Sequence, residues 1–238
     1  MQTARSAPHI VVLTGAGISA ESGIQTFRGA GGLWEGRDVL EVASIDGFHR
    51  NPELVLRFYN ERRAQLRHVA PNAGHLALVE LEQAYRVDIV TQNVDDLHER
   101  AGSSHVLHLH GLLTEGRSVR NPEVVVPVAG DIQLGDLAPD GHQLRPNIVW
   151  FGEEVPMIIP AARLFMEADI LIIVGTSLVV YPAAGLIGYA RPEVPVYVVD
   201  PHRPSLDSGH LAEYIQEPAT IGLPALTRRL LTPAASGL

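Results

Sequence analysis

His9-Ile10-Val11-Val12-Leu13-Thr14-Gly15-Ala16-Gly17-Ile18-Ser19-Ala20 reads as a short apolar strand that runs into a glycine-rich turn and the start of a helix. Gly15 and Gly17, with Ala20 in the third small position, match the Gly-x-Gly-x-x-Gly/Ala spacing. The missing side chains let backbone N–H groups and a helix N-terminus approach a pyrophosphate. Taken alone, the loop also reads as a tight strand-to-helix turn with no ligand. A matching carboxylate belongs at the end of a later strand, and Asp200 closes Val196-Tyr197-Val198-Val199. An acid there accepts hydrogen bonds from a ribose 2′-OH and repels a 2′-phosphate, which favours NAD over NADP.

Working outward, Val87–Thr91 and Asp169–Val174 are further Val- and Ile-rich runs that end in polar or glycine residues. Continuous runs rather than alternation predict strands buried on both faces, hence a parallel sheet covered by helices. One helix opens at Asn51-Pro52, a cap followed by a first-turn proline, and carries Leu56, Tyr59, Arg62 and Leu66 at helical spacing. Another starts at Asn72 and presents Leu76, Val79 and Tyr85. Strands alternating with helices predict an α/β fold with a Rossmann-like, doubly wound parallel sheet. Two stretches break the alternation and predict a second, smaller domain made of two insertions. The expected division is a large domain over 1–30, 71–111 and 146–238 and a small domain over 31–70 and 112–145.

Composition narrows the chemistry. The 18 basic residues, all Arg, face 27 Asp and Glu, for a net charge of −9, which disfavours nucleic-acid binding through a basic field. The absence of Lys excludes a Schiff-base or Walker-type lysine. The absence of Cys excludes disulfides, thiolate nucleophiles and zinc sites with sulfur ligands. The stretch before the first strand is too short for a signal peptide. The most apolar region, Ala168–Ala190, approaches the roughly 20 residues of a membrane span. Asp169, Gly175-Thr176-Ser177 and Pro182 interrupt it, so strand, loop and helix are expected instead. No membrane association is expected, and the expected setting is a cytoplasmic monomer.

Five motifs in order carry a family resemblance. They are Gly15-Ala16-Gly17-Ile18-Ser19 continuing through Glu21-Ser22-Gly23-Ile24 to Phe27-Arg28; Gln92-Asn93-Val94-Asp95; His110-Gly111; Phe151-Gly152-Glu153; and Gly175-Thr176-Ser177. Together they resemble the sirtuin family of NAD-dependent protein deacylases. The resemblance implies that NAD and an acyl-lysine protein or peptide bind in the cleft between the two domains. It also implies that the acyl oxygen attacks the ribose C1′ as nicotinamide leaves, giving an alkylamidate, with His110 as general base for the ribose hydroxyl that attacks it. Free lysine and O-acyl-ADP-ribose follow. A histidine suits this task because its unperturbed pKa, about 6.5, lies near working pH.

By the same resemblance Asp95 takes the nicotinamide carboxamide, while Asn93, also catalytic, and Gln92 serve the ribose side; helix capping is an alternative role for Asn93 and Asp95. Phe27 and Arg28 resemble the flexible cofactor loop, although Gln25 stands where the family usually has proline. Gly15, Ala16, Gly17, Ser19, Glu21, Gly175, Thr176, Ser177, Asp200 and Ala219 complete the expected cofactor set. The peptide is expected to enter as an extra strand, which binds with little sequence preference. It would lie between Val149, Phe151 and Gly152 on one side and Val179 on the other; a plain core strand is the other reading of Val149–Phe151.

Most sirtuins hold a structural zinc with two Cys-x-x-Cys pairs. The places of the first pair are Ser118 and Asn121 here, so no zinc is expected. Packing of Val124–Val128 and Ile132 is expected in its stead. His105, His108 and His110 are set aside as a metal triad, because a strand would point His105 away from the other two. Tyr59 and Arg62 match the Tyr-x-x-Arg of the bacterial and mitochondrial desuccinylase-like branch. Their spacing puts both on one helix face, Arg as a fork for a terminal carboxylate and Tyr as a hydroxyl donor. A solvated Arg on an amphipathic helix is the alternative. Three functional readings stay open: a lysine deacylase for succinyl, malonyl and acetyl groups; an NADase or ADP-ribosyltransferase on the same scaffold; and a non-enzymatic NAD-binding module.

Overall fold

The computed structural model describes residues 7–26, 39–206 and 209–232. Phe27 and Arg28, expected in the cofactor loop, lie outside the described residues. The chain begins with β1 (His9–Thr14), α1 (Gly17–Ala20), α2 (Val39–Val42), α3 (Ile45–Arg50), α4 (Pro52–Leu66) and α5 (Ala73–Leu81). It continues through β2 (Arg86–Thr91), α6 (Leu97–Ala101), β3 (Val106–His108), β4 (Gly111–Ser118), β5 (Val125–Pro127) and β6 (Leu144–Ile148). After α7 (Ile158–Glu167) and β7 (Ile170–Val174) come a 3₁₀ helix (Ala183–Tyr189), β8 (Val196–Val199), β9 (Ala212–Ile215) and α8 (Ala219–Leu231). No helix among the described residues is long and apolar enough to cross a membrane.

Six strands form a parallel sheet in the order β3-β2-β1-β7-β8-β9. Every residue of β1 is buried. Ile10 and Val12 pack with Leu78 and Leu81 of α5 and Leu223 of α8, and Val11 and Leu13 with Phe165 of α7 and Leu186 of the 3₁₀ helix. With helices on both faces, alternate residues meet different cores, which is why the strand reads as one apolar run. Strand order departs from β1 in both directions, to β2 and β3 on one side and to β7, β8 and β9 on the other. The carboxyl ends of β1 and β7 therefore flank a switch-point crevice, where doubly wound sheets bind ligands.

The helix starts follow the caps expected. Asn51 Oδ1 accepts the Leu54 N–H with Pro52 in the first turn, and Asn72 Oδ1 accepts the Gly74 N–H. The face of α5 differs from the expectation. Leu76 is exposed, and the buried stripe is Gly74, His75, Ala77, Leu78 and Leu81. The close approach of α8 is the reason: a Cβ on Gly74 would lie 3.1 Å from the Ala219 carbonyl oxygen. Tyr85 lies beyond the helix and ties it to α8 by donating its hydroxyl proton to the Leu230 carbonyl.

The second sheet is antiparallel, in the order β5-β4-β6. With α2, α3 and α4 it encloses a separate apolar cluster. Phe48, Leu56 and Tyr59 come from one of the two irregular stretches, and Leu113, Ile132 and Leu144 from the other. Val124, Val126 and Val128 are packed against it. Apolar packing is only part of what holds this region. Arg63 of α4, 2% exposed, donates from Nε to the Leu113 carbonyl at 2.6 Å and from Nη1 to Asn60 Oδ1 at 2.8 Å and the Gly130 carbonyl at 3.3 Å. Asn60 in turn bonds the Ile132 carbonyl and N–H. One buried guanidinium thus joins α4 to β4 and to the loop after β5. Ser118, buried at the end of β4, closes the following turn by accepting the N–H groups of Arg120 and Asn121.

Candidate active site

Two glycine loops form the floor. The Gly15 N–H donates to the Val174 carbonyl at 3.0 Å and the Gly17 N–H to the Gly175 carbonyl at 2.9 Å, so the loop after β1 lies directly on the loop after β7. A Cβ on Gly17 would stand 2.6 Å from Gly175 Cα, and Gly175 itself has φ +59°. Only glycine allows backbone to meet backbone this closely. The motif alone assigns both glycines direct work on a phosphate. Their N–H groups are instead spent on the neighbouring loop, and α1 is a single turn. Ala16 is the member of the trio whose N–H has no backbone acceptor among the described residues, and it lines the cleft.

The cleft encloses about 860 Å³. Of the expected cofactor residues, Gly15, Ala16, Gly17, Gln92, Asn93, Gly175, Thr176, Ser177 and Asp200 line it. His110, Tyr59, Val149, Phe151 and Gly152 line it as well. Gln92 Nε2 donates to Thr176 Oγ1 at 3.1 Å, which joins the ends of β2 and β7. Asp200 stands at the end of β8, its Oδ1 accepting the His202 N–H at 2.8 Å, and burial raises its carboxyl above the usual range.

A smaller pocket of about 40 Å³ adjoins this cleft and shares Ala16, Tyr59, Asn93 and Val94 with it. Asp95 and Arg62 line the smaller space. Beneath it Ser19, fully buried, donates to Asp95 Oδ2 at 3.0 Å and accepts from Asn93 Nδ2 at 3.2 Å. Asp95 Oδ1 accepts the Leu97 N–H in an Asx turn leading into α6, whose cap position is Asp96 and not Asn93 or Asp95. Burial raises the Asp95 carboxyl.

His110 sits between β3 and β4. Its Nδ1 lies 3.1 Å from the Gln92 carbonyl, which can only accept. Nδ1 therefore carries the proton in the neutral ring, and Nε2 keeps the lone pair that a base needs. Burial lowers the His110 pKa, so the ring stays neutral at neutral pH. Gly111 follows with φ +84°, and a Cβ there would be 1.9 Å from the Asn147 carbonyl oxygen. The His-Gly pair thus places a neutral imidazole on a turn that admits no side chain after it. His108 belongs elsewhere: its Nε2 bonds Glu99 at 2.6 Å. Among the described residues no three His, Cys, Asp or Glu side chains could hold a metal ion.

Among the described residues, four of those expected line neither space. Ser19 works from below, and Val179 is exposed beside the cleft. Glu21 accepts the N–H and hydroxyl of Thr220, which fastens the turn after α1 to α8, and Ala219 is buried at that same helix start. Thr26 and Trp150, which fall within stretches singled out in the sequence without a role of their own, also line the cleft, as do His202 and Arg203, to which no motif points. The guanidinium of Arg203 lies 4.1 Å over the Tyr214 ring. Continuing three residues past Asp200 would have found His202 and Arg203. Glu153, which reads in the sequence as a sign of a site edge, is engaged by Arg117 and Arg145.

A dinucleotide fits this site on its own chemistry. Backbone lies bare at the switch point, a carboxylate stands at the far end for ribose hydroxyls, and a neutral imidazole faces the space between. Known proteins share the sequence and the fold of this chain. A protein of Helicobacter pylori strain J99 named NAD-dependent protein deacylase is 53% identical over 227 residues, which cover 95% of this chain and 97% of that relative. The solved structure of a mutant Sir2 homologue in complex with ADP ribose superposes with a TM-score of 0.87 at 36% identity, covering 98% of this chain and 95% of the other. Another, described as Sir2–p53 peptide–NAD+, gives a TM-score of 0.75 at 33% identity over 94% of this chain and 92% of the other. The Sir2 family model matches residues 15–182, from the first glycine of the floor to the rim of the cleft beyond Ser177. With the motifs, the switch-point cleft and these relatives in agreement, the chain belongs to the Sir2 family.

Proposed function

We propose that this chain uses NAD to remove acyl groups from lysine side chains of proteins, yielding nicotinamide, O-acyl-ADP-ribose and free lysine. The observation that carries the reading is His110: a neutral imidazole, its Nδ1–H held by the Gln92 carbonyl, in a cleft that also contains the glycine floor. When bound, NAD supplies a ribose carbon activated by its cationic nicotinamide. The residues of this chain do the rest. Ala16, Thr176 and Ser177 cradle the phosphates, and Asp200 accepts from ribose hydroxyls. Asp95 holds the nicotinamide carboxamide and Asn93, with Gln92, the ribose side, Ser19 bonding both Asp95 and Asn93 from below. His110 Nε2 takes the proton of a ribose hydroxyl, and the apolar walls keep out water that would otherwise capture the ribose. The acylated segment lies along Val149–Gly152. The activity belongs to a cytoplasmic monomer, where NAD and acylated proteins meet.

The preferred acyl groups are succinyl and malonyl, with acetyl also accepted. Tyr59 and Arg62 support this choice. They stand one turn apart on α4, Tyr59 facing the cleft and Arg62 the adjoining pocket. The Arg62 guanidinium also stacks 4.3 Å from the Phe58 ring and bonds the Phe58 carbonyl, so its fork is held close to the pocket wall. Arg62→Met removes a charge-assisted contact worth roughly 1.5–3 kcal/mol. The ratio of kcat/KM for a succinyl-lysine peptide over its acetyl counterpart should then fall about tenfold to a hundredfold. An equal loss on both substrates would make Arg62 part of the scaffold.

A further inference from the structure

Trp150 lines the cleft, yet the chemistry proposed for the site leaves it without a task. Its side chain is 2% exposed, and the indole Nε1 donates to the Tyr59 hydroxyl oxygen at 2.9 Å. An indole N–H can only donate. The phenol oxygen must therefore accept, and its own proton points elsewhere; no acceptor among the described residues takes it. Tyr59 borders both the cleft and the smaller pocket, so the proton is left for whatever enters that space.

The indole is itself held in place. The Arg145 guanidinium lies 3.4 Å from the ring centre, the Phe48 ring is 5.1 Å away, and the Trp150 main-chain N–H donates to Glu153 Oε2 at 2.8 Å. Arg145 grips both Glu153 oxygens at 2.6 and 3.0 Å, and Arg117 reaches them at 3.0 and 3.1 Å. Arg117 and Arg145 are register partners across β4 and β6. Burial alone would raise the Glu153 carboxyl, but the bonds and charges of Arg145 and Arg117 outweigh it and keep the group ionised. An ion cluster on the small sheet thus fixes an indole, and the indole fixes the direction of a phenol proton.

We propose that Trp150 is a positioning residue for acyl choice: its N–H makes the Tyr59 hydroxyl a one-way donor into the cleft. The site then favours acyl chains that end in an acceptor oxygen, a carboxylate above all. This inference rests on the acyl reading of Tyr59 and Arg62.

The test is the succinyl-over-acetyl ratio of kcat/KM for the wild type, Trp150→Phe, Tyr59→Phe and the double variant. A further protein carries Trp150→3-benzothienylalanine, which keeps the shape of the indole and puts sulfur where the N–H was, so the packing against Arg145 and Phe48 remains. Each Trp150 replacement should lower the ratio about twofold to tenfold, the range for one neutral hydrogen bond. The double variant should fall no further than Tyr59→Phe alone. An unchanged ratio in the benzothienyl protein, with a lowered one in Tyr59→Phe, overturns the role of Trp150 and leaves the acyl reading standing. An unchanged ratio in both Tyr59→Phe and Arg62→Met overturns the acyl reading, and the role of Trp150 with it.

Discussion

In the parallel sheet every residue of β1 is buried between two helical layers, whereas in the antiparallel sheet β4 is only partly covered and β5 is largely exposed. The first region keeps its shape by apolar contact on both faces. The second also uses arginines: Arg63 bonds carbonyls of β4 and of the loop after β5, and Arg117 and Arg145 clasp Glu153. The difference bears on function. The apolar region carries the glycine loops and the residues proposed to bind the cofactor, and the arginine-held region carries the residues proposed to read the acyl group. Chemistry and selectivity therefore answer to different substitutions.

The largest effect is expected on the chemical side. His110→Ala should bind NAD, measured by calorimetry, and lose turnover by about 100-fold to 10,000-fold, the usual range for removal of a general base. Turnover like that of the wild type would remove His110 from the mechanism. On the other side, Arg63→Ala leaves the buried Leu113 carbonyl and the Asn60 side chain without this donor, while the Gly130 carbonyl is exposed to water. Buried groups stranded in this way cost about 1–3 kcal/mol each, so chemical denaturation should show a loss of about 3 kcal/mol. A loss below about 0.5 kcal/mol, the scale of an ordinary surface substitution, would mean that apolar packing alone holds this region.

Acid should separate the two regions next. Burial pushes the His75 pKa down to about 4, and His98 beside it also falls well below the ordinary value. Both lie against the parallel sheet, on α5 and α6. A histidine in the unfolded chain titrates near 6.5, so between that pH and about 4 the unfolded state binds the proton first, and stability falls as pH drops. At pH 5 the cost for His75 is about 2 kcal/mol. Glu153 is held below the usual carboxylate range and stays ionised through this window. Melting curves at pH 7 and pH 5 should show this loss, smaller in His75→Gln; an equal loss in that variant and the wild type would contradict it. The smallest effect concerns metal. With no cysteine in the chain, a chelator should leave the melting temperature and turnover unchanged. A fall in either would reveal ligands other than sulfur.

How much of this was legible in the sequence follows from the same contrast. β1, β2, β7 and β8 could be read directly, because a strand buried on both faces writes itself as a continuous apolar run. Asn51 and Asn72 could be read because a cap acts on its own next few residues. The antiparallel sheet could not, since strands such as Gly111–Ser118 mix Thr, Glu, Gly and Arg with few apolar residues. Arg62 attracts notice through its spacing from Tyr59, while its neighbour Arg63 is the buried one. Nothing local to Arg63 announces that carbonyls from two distant segments converge on it. The Trp150–Tyr59 bond is hidden for the same reason. Within the cleft, the glycines, Gln92, Asn93, His110 and Asp200 were legible as motif residues. The role of Gly15 and Gly17 in seating one loop on another required the partner loop to be seen.

Both regions meet in what the cleft does with NAD and an acylated lysine. The direct measurement is mass spectrometry of acetyl-, malonyl- and succinyl-lysine peptides incubated with the protein and NAD. Peptides lighter by the acyl group are expected, matched one for one by nicotinamide and O-acyl-ADP-ribose, with succinyl and malonyl peptides consumed faster than acetyl. Nicotinamide and free ADP-ribose released while every peptide keeps its acyl group, or a peptide that gains the mass of ADP-ribose, would contradict the proposed deacylation.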